Sequence, residues 1–565
     1  MKLQIERPFV EALVDAHPRL GWLQEQMRFG NRAECSFHQL EQDELQSLER
    51  LFAGGGPALR NRAAQIATLR KALGGEGLRF EAEDLEMLVP ALARYLAEDT
   101  ERGWLFAIAS PEQPTAWVVT RLDYTPSSQE ETGKVFLELK ANSRGKVASQ
   151  TVRLIAADIA GRTLGEILAA KGYVKETSAL VASYDDMEAR YFDWRARYGE
   201  QFSGRGTGLY AENPTASHRD TDWSRKDVVI LSSSGGEARL VNDEGILSDR
   251  VLTLDVPGEI LGTYLRKAAK GSRYIDEDAA ADAREALPKG HFTRMPVHFH
   301  ILMFHLDLHH YLWVHVADLH PYEYKPALRD KLVLPAEQTD LIDILTAEMD
   351  LLMDDIVEGK SGGTTVLCAG PPGVGKTLTA EVYSEIIRRP LYRVHSGQLG
   401  LNVAAMETTL KDVLTRAQRW GAVMLIDEAD VYIKRRDDNI TMNAVVGVFL
   451  RVLEYFNGLL FLTTNRIDDI DEAIVSRCIA LIKYAPPDDA GRLRIWQVMA
   501  GQFGLELPAG LPENLVRTFP EATGRDIKGL AKLVAKYCKQ KQCPADLDAF
   551  RRCATFRGLE VAHPG

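Results

Sequence analysis

The sequence predicts an α/β fold. A parallel sheet carries a phosphate loop and is closed by a C-terminal helical lid, behind N-terminal domains of helical, α+β and β-rich character. Three observations predict it. A glycine-rich loop at 370–377 lies between an apolar run at 364–369 and helical apolar spacing at 378–389. A second apolar run at 423–426 ends in Asp427-Glu428, 51 residues after Lys376. A third run, 458–463, ends in Thr464-Asn465. Strands that are apolar along their whole length, each followed by polar residues, are the pattern of a buried parallel sheet whose ligands bind at the carboxyl edge.

The loop reads Gly370, Pro371, Pro372, Gly373, Val374, Gly375, Lys376, Thr377, with Leu378 opening the helix behind it. Glycines at these positions let backbone N–H groups close around phosphate oxygens, and the helix N-terminus adds partial positive charge. Lys376 is expected to reach the β- and γ-phosphates of ATP, and the Thr377 hydroxyl to bind Mg²⁺. Strand, loop and helix in this order make a P-loop NTPase core. Asp427 is expected to hold the same Mg²⁺, directly or through water, and Glu428 to polarise the attacking water as general base.

With 471–477 reading Asp-Glu-Ala-Ile-Val-Ser-Arg, residues 320–540 resemble the AAA+ ATPase family. The resemblance implies ATP hydrolysis in a ring of like subunits, a hexamer, with Asn465 as the sensor of the γ-phosphate. It implies that Arg477 is an arginine finger acting on the neighbouring subunit's ATP; the alternative is a surface arginine capping a helix. Arg525, in Thr523-Gly524-Arg525-Asp526, stands where the family carries a second sensor, or else is a solvated arginine near a helix start. Val333 and Leu334 are candidates for packing on adenine. Lys434-Arg435-Arg436 faces a neighbour's nucleotide or is a solvated loop. Threading members of the family grip polypeptide with an aromatic residue after the second core strand. The corresponding stretch here, 396–407, contains none, which suits local remodelling of a protein partner, or a nucleotide-gated scaffold, at least as well as threading.

The remaining chain is read as a helical domain at 1–102, an α+β domain at 103–205, a linker at 206–225 and a β-rich module with a hairpin at 226–325. The ATPase core then occupies 326–485 and the lid 486–565. Helical spacing is expected at 8–16, 43–52, 59–73, 83–98, 163–171 and 184–198. Strands are expected at 104–108, 116–120, 134–139, 228–231, 238–241, 297–306 and 311–316. Histidine is concentrated in the hairpin: His298 and His300 share one face, and His305, His309, His310 and His315 follow. They are read as residues of a half-exposed sheet face, with a metal site as the alternative.

Composition bounds the function. A content of 45% hydrophobic and 26% charged residues is that of globular protein, and 565 residues predict three or four domains. A formal net charge of −12 disfavours a nucleic-acid loader or motor. No stretch approaches 18 uninterrupted apolar residues, 1–8 lacks a secretory apolar core, and the six cysteines lack dense spacing. A cytoplasmic protein is therefore expected, its cysteines reduced.

Overall fold

The computed structural model describes residues 2–562 apart from 28–29, 37–39, 58, 61, 64–65, 67–78, 86–87, 108–114, 130, 212–227, 232–235, 245–290, 348–362, 401 and 437–438. The helix expected at 59–73 falls mostly outside the described residues. The chain divides into two units. One comprises Met1–Ala196, Glu244–Leu302 and Trp313–Leu319; the other comprises Arg197–Asp243, Met303–Leu312 and His320–Gly565.

The first unit opens with two antiparallel strands, Lys2–Glu6 and Arg32–Ser36, beside the helices Arg7–Ala16 and Gln42–Ala53. Pro8 suits the first turn of a helix, where its missing N–H costs nothing. Leu45, Leu48 and Phe52 are buried at helical spacing behind a Glu41–Glu44 capping box. A five-stranded antiparallel sheet follows, in the order Lys146–Ile155, Lys134–Ser143, Thr115–Thr125, Trp104–Ala107, Tyr173–Lys175. Along Lys134–Ser143, Val135, Leu137, Leu139 and Ala141 are fully buried, which is the two-residue period of a sheet with one face on the core. The buried Glu176 carboxylate accepts backbone N–H bonds from Glu101 (2.6 Å) and Arg102 and Trp104 (both 2.9 Å) and so fixes the start of strand Trp104–Ala107.

Three of the hairpin histidines belong to this unit. The His300 and His315 rings lie 5.2 Å apart, and the His298 ring packs edge-on against Trp117. Burial pushes their pKa values down, to about 4 for His298, about 3 for His300 and about 4 for His315.

The second unit holds the parallel sheet, ordered Leu391–His395, Val423–Asp427, Leu459–Thr464, Thr364–Ala369, Ala480–Lys483, with every pairing parallel. The strands Thr364–Ala369, Val423–Asp427 and Leu459–Thr464 are buried at every residue, which accounts for their unbroken apolar runs. Register then places the chemistry: Ala369 pairs with Thr464 and His395 with Asp427, so the phosphate loop, the carboxylates and Asn465 all leave the sheet at one edge. Four helices, Asp489–Phe503, Leu511–Thr518, Gly524–Lys541 and Leu547–Thr555, form the lid around Trp496, Phe519, Ile527, Leu530 and Phe550. The predicted fold class holds: a P-loop α/β core and helical lid behind mixed N-terminal structure.

A seven-stranded sheet adjoins the core and contains the expected hairpin, His300–His305 and His310–His315. The stretch expected to be a linker contributes a strand to it, Thr207–Tyr210, while 212–227 lie outside the described residues. Val241, Phe304 and Leu306 share one buried cluster with core residues. The Phe304 ring lies 5.4 Å from Tyr392 and 5.0 Å from Trp420. The Arg416 guanidinium sits 4.7 Å from the Phe304 ring centre and donates to the hydroxyls of Tyr311 (3.1 Å) and Tyr392 (2.8 Å). Arg419 and Tyr311 both donate to the fully buried Asp243. Residues 238–243 and 303–312 are therefore built into the wall of the ATPase core.

Two predictions follow from this packing. Phe304→Ala empties the centre of the aromatic cluster and is expected to cost about 3–5 kcal/mol, read as an earlier unfolding transition in denaturant. The second concerns pH. His298, His300 and His315 stay neutral when folded but take protons below about pH 6.5 when unfolded, so the unfolded state binds more protons across that interval. Stability is therefore expected to fall as pH drops from about 6.5 towards 4, by up to about 2–3 kcal/mol per histidine. His300→Leu is expected to flatten the pH dependence of the thermal midpoint.

Candidate active site

The phosphate loop leaves strand Thr364–Ala369 and enters helix Lys376–Ile386. Gly373 and Gly375 adopt φ of +84° and +105°, in the left-handed region that favours glycine. A Cβ at Gly370 would come within 2.5 Å of the Tyr484 carbonyl oxygen, and one at Gly373 within 2.8 Å of Thr523 Oγ1. The cradle thus closes only with glycine at these positions. Pro371 and Val374 are half-buried, Val374 packing on the core, while Pro372 and Leu378 face outward.

Lys376 is buried, and its Nζ donates to the carbonyls of Gly370 (2.7 Å) and Pro371 (2.6 Å) and to Asn465 Oδ1 (2.9 Å). Burial lowers its pKa; Asp430 and Asp427 oppose that shift and Arg525 adds to it. Thr377 Oγ1 donates to Asp427 Oδ1 at 3.0 Å, closing the loop onto the carboxylate strand. Thr463 Oγ1 donates to the same oxygen at 2.6 Å, and Arg393 Nη2 to Oδ2 at 2.5 Å. Burial alone would raise the Asp427 pKa, but these hydrogen bonds and the Arg393 charge hold it below the usual carboxylate range.

Glu428 follows in the left-handed region, at φ 55° and ψ 49°, with its N–H on Thr463 Oγ1 and its side chain exposed. A non-glycine residue in that region carries backbone strain and is held there by its surroundings. The turn directs Glu428 off the strand, away from the buried Asp427.

Asp430 and Arg393 were not anticipated. Asp430 accepts from the Thr464 hydroxyl (2.5 Å) and the Asn465 N–H (3.1 Å), fixing the residue that meets Lys376. Its signal in the sequence is an acid three residues after Asp427. Arg393 gives no sequence signal, because strand pairing brings it to Asp427.

Arg525 lies beside the loop: its N–H donates to the Gly373 carbonyl at 3.2 Å, at the N-terminus of lid helix Gly524–Lys541, and its side chain is exposed. Arg477 stands apart from Lys376. It donates to Glu454 Oε1 through Nε (3.0 Å) and Nη2, and to the Ala473 carbonyl at 3.1 Å. Arg436 donates to the buried Asp471 at 2.9 Å and Arg435 pairs with Glu472, so these two arginines brace the segment leading to Arg477. Leu332 and Leu334 pack on the core, and Val333 lies beside Gly491 at the start of the lid. The Tyr432 hydroxyl lies 2.7 Å from the Ser396 carbonyl and 2.8 Å from that of Gly400. Among the described residues no group of three or more histidine, cysteine or carboxylate side chains is arranged to hold a metal ion, and no helix is long and apolar enough to cross a membrane.

A parallel sheet with this loop, a carboxylate strand hydrogen-bonded to the loop's threonine, and a lysine held at the same edge define a phosphate-loop nucleotide-binding core. Comparison with known proteins narrows the class. Residues 366–484 match the family described as "ATPase family associated with various cellular activities (AAA)". Similar proteins include the Homo sapiens peroxisomal ATPase PEX1, 28% identical over 228 residues, which are 39% of this chain and 16% of that protein. The vesicle-fusing ATPase of Dictyostelium discoideum is 28% identical over 202 residues, 31% of this chain and 27% of that protein. An uncharacterized AAA family ATPase of Sinorhizobium fredii, y4kL, is 27% identical over 168 residues, 29% of this chain and 51% of that protein. The chain therefore carries a domain of the AAA ATPase family at residues 366–484. It spans 16% to 51% of the length of these relatives.

Proposed function

We propose that the chain hydrolyses ATP at sites shared between like subunits of a ring, a hexamer, and uses the resulting lid motion to remodel a protein partner bound by residues 1–325. The observation that carries the nucleotide site is the 3.0 Å hydrogen bond from Thr377 to Asp427, next to a Lys376 that already meets Asn465. The donor set of hydroxyl and carboxylate oxygens fits Mg²⁺, held by Thr377 and Asp427. When bound, that ion would neutralise charge on the phosphate oxygens.

Within this reading Lys376 and the loop N–H groups hold the phosphates, and Glu428 accepts a proton from the attacking water. The exposed, outward-turned position of Glu428 supports that role. Asn465 reports the γ-phosphate to Lys376 and, through Asp430, to the carboxylate strand. Arg525 links the same loop to the lid, supported by its backbone bond to Gly373. Arg477 acts in trans, and its position outside its own chain's pocket supports an action on a neighbour's ATP. The Glu454 pairing must open for it to do so.

One observation favours a second reading, a nucleotide-gated scaffold with slow turnover. The segment that would grip polypeptide has no aromatic residue, and Tyr432 fastens it at Ser396 and Gly400. Turnover that stays slow with candidate partners present would favour the scaffold.

Two outcomes test the reading. Glu428→Gln is expected to bind ATP while losing about 10²–10⁴ in turnover, measured as released phosphate; turnover at the parent rate would remove the general-base role. Lys376→Ala and Arg477→Ala chains, each inactive alone, are expected to regain part of the activity when co-assembled. The loss in Arg477→Ala alone is expected to be about 10³–10⁵. Absence of recovery in demonstrated mixed assemblies would count against a finger acting between copies.

A further inference from the structure

Arg393 stands on strand Leu391–His395, one strand over from the carboxylate proposed to hold Mg²⁺. Its guanidinium spans two acids. Nη2 donates to Asp427 Oδ2 at 2.5 Å, and Nη1 lies 3.5 Å from Glu381 Oε1, on the helix that follows the phosphate loop. The other carboxylate oxygen, Asp427 Oδ1, is taken by Thr377 and Thr463. The two ends of Asp427 are thus divided: hydroxyls on one oxygen, a cation on the other.

That division matters because the terminal torsion of an aspartate is broad and roughly two-fold. With partners on Oδ1 alone, the carboxylate could swing its second oxygen towards Thr377 or away from it. A charge-assisted bond to Oδ2 fixes one orientation. We propose that Arg393 is a positioning residue for the divalent cation, locking the Asp427 carboxylate so that Oδ1 faces Thr377, and tying that orientation to the phosphate-loop helix through Glu381. The inference rests on the nucleotide site proposed above.

Two effects of the guanidinium oppose each other. It orients the carboxylate, and it places positive charge near an incoming cation. The Arg393 side chain is 38% exposed, so water screens its charge, whereas the orientation it imposes is short-range and unscreened. Orientation wins, and removing Arg393 is expected to weaken metal binding.

The test is equilibrium binding of a fluorescent ADP analogue to the full chain, first in EDTA and then across a magnesium titration. It compares the parent, Arg393→Met and Arg393→Lys. Arg393→Met is expected to leave the metal-free ADP affinity within about twofold and to raise the magnesium concentration at half-effect about tenfold, the usual low end for loss of an outer-shell partner. Arg393→Lys keeps the charge without the fork and is expected to fall between parent and Met, by about threefold. An unchanged or lowered magnesium midpoint in Arg393→Met would overturn the proposal, as would metal-free affinity falling in parallel, the signature of a merely structural residue. Should Arg393→Met fail to fold, the Lys variant decides alone, and a parental midpoint there overturns it. A parent chain that bound no ADP at any magnesium concentration would sink the nucleotide site itself, a result distinct from an altered midpoint in the variants.

Discussion

The buried Asp427 carboxylate organises the ATPase core. An ionised carboxylate 5% exposed is costly unless its lone pairs are filled, and here they are filled from three separate elements. Thr377 comes from the phosphate-loop helix, Thr463 from the next strand on one side, Arg393 from the strand on the other. Each partner leaves its own strand or helix at the sheet's carboxyl edge, and parallel register is what brings them level. The same Thr463 hydroxyl that donates to Asp427 accepts the Glu428 N–H, so one oxygen both satisfies the acid and holds the strained turn that aims the next acid outward. One strand end thus holds two adjacent carboxylates in opposite environments, Asp427 buried and hydrogen-bonded and Glu428 exposed.

The core was legible because its signals are local. A strand buried on both faces must be apolar throughout, a phosphate cradle must be glycine where a Cβ would collide, and both constraints print directly into consecutive residues. Asp427, Glu428, Lys376, Thr377 and Asn465 were therefore visible, and they converge on one sheet edge. Arg393 was not, because its partner is fixed by register between strands whose paired residues lie 32 apart in sequence. In the first unit, strand Lys146–Ile155 escaped notice for a related reason. It is an edge strand that buries only Val152 and Leu154, so eight of its ten residues are free to be polar or small and the alternation is lost. The strand pair Lys2–Glu6 and Arg32–Ser36 lies 26 to 34 residues apart in sequence and carries no turn signal between its members.

The hairpin of the β-rich module shows a different limit. Its strands were legible from their apolar alternation, yet the sequence gives no sign that Phe304 is core to the ATPase sheet rather than to its own module. The half-buried Arg416 explains the arrangement. A guanidinium packed against three aromatic rings needs acceptors, and the hydroxyls of Tyr311 and Tyr392 supply them, one from the hairpin and one from the parallel sheet. Satisfied in this way, the cation ties Tyr311 of the hairpin to Tyr392 of the parallel sheet.

That junction bears on the lid motion proposed above. The hairpin is packed on strand Leu391–His395 and helix Val403–Arg419, and the segment between them is fastened by Tyr432, five residues beyond Asp427. Phe304 and Leu306 of the hairpin share one hydrophobic cluster with these parts. The lid touches the phosphate loop differently. Its helix N-terminus meets Gly373 through a backbone bond from Arg525 and a close approach of Thr523, and its own core of Trp496, Phe519 and Phe550 is separate. A junction made of one backbone bond and a close glycine contact opens far more easily than one made of interlocked aromatics. The lid motion proposed above would therefore be opposed less at the lid–loop contact than within that cluster.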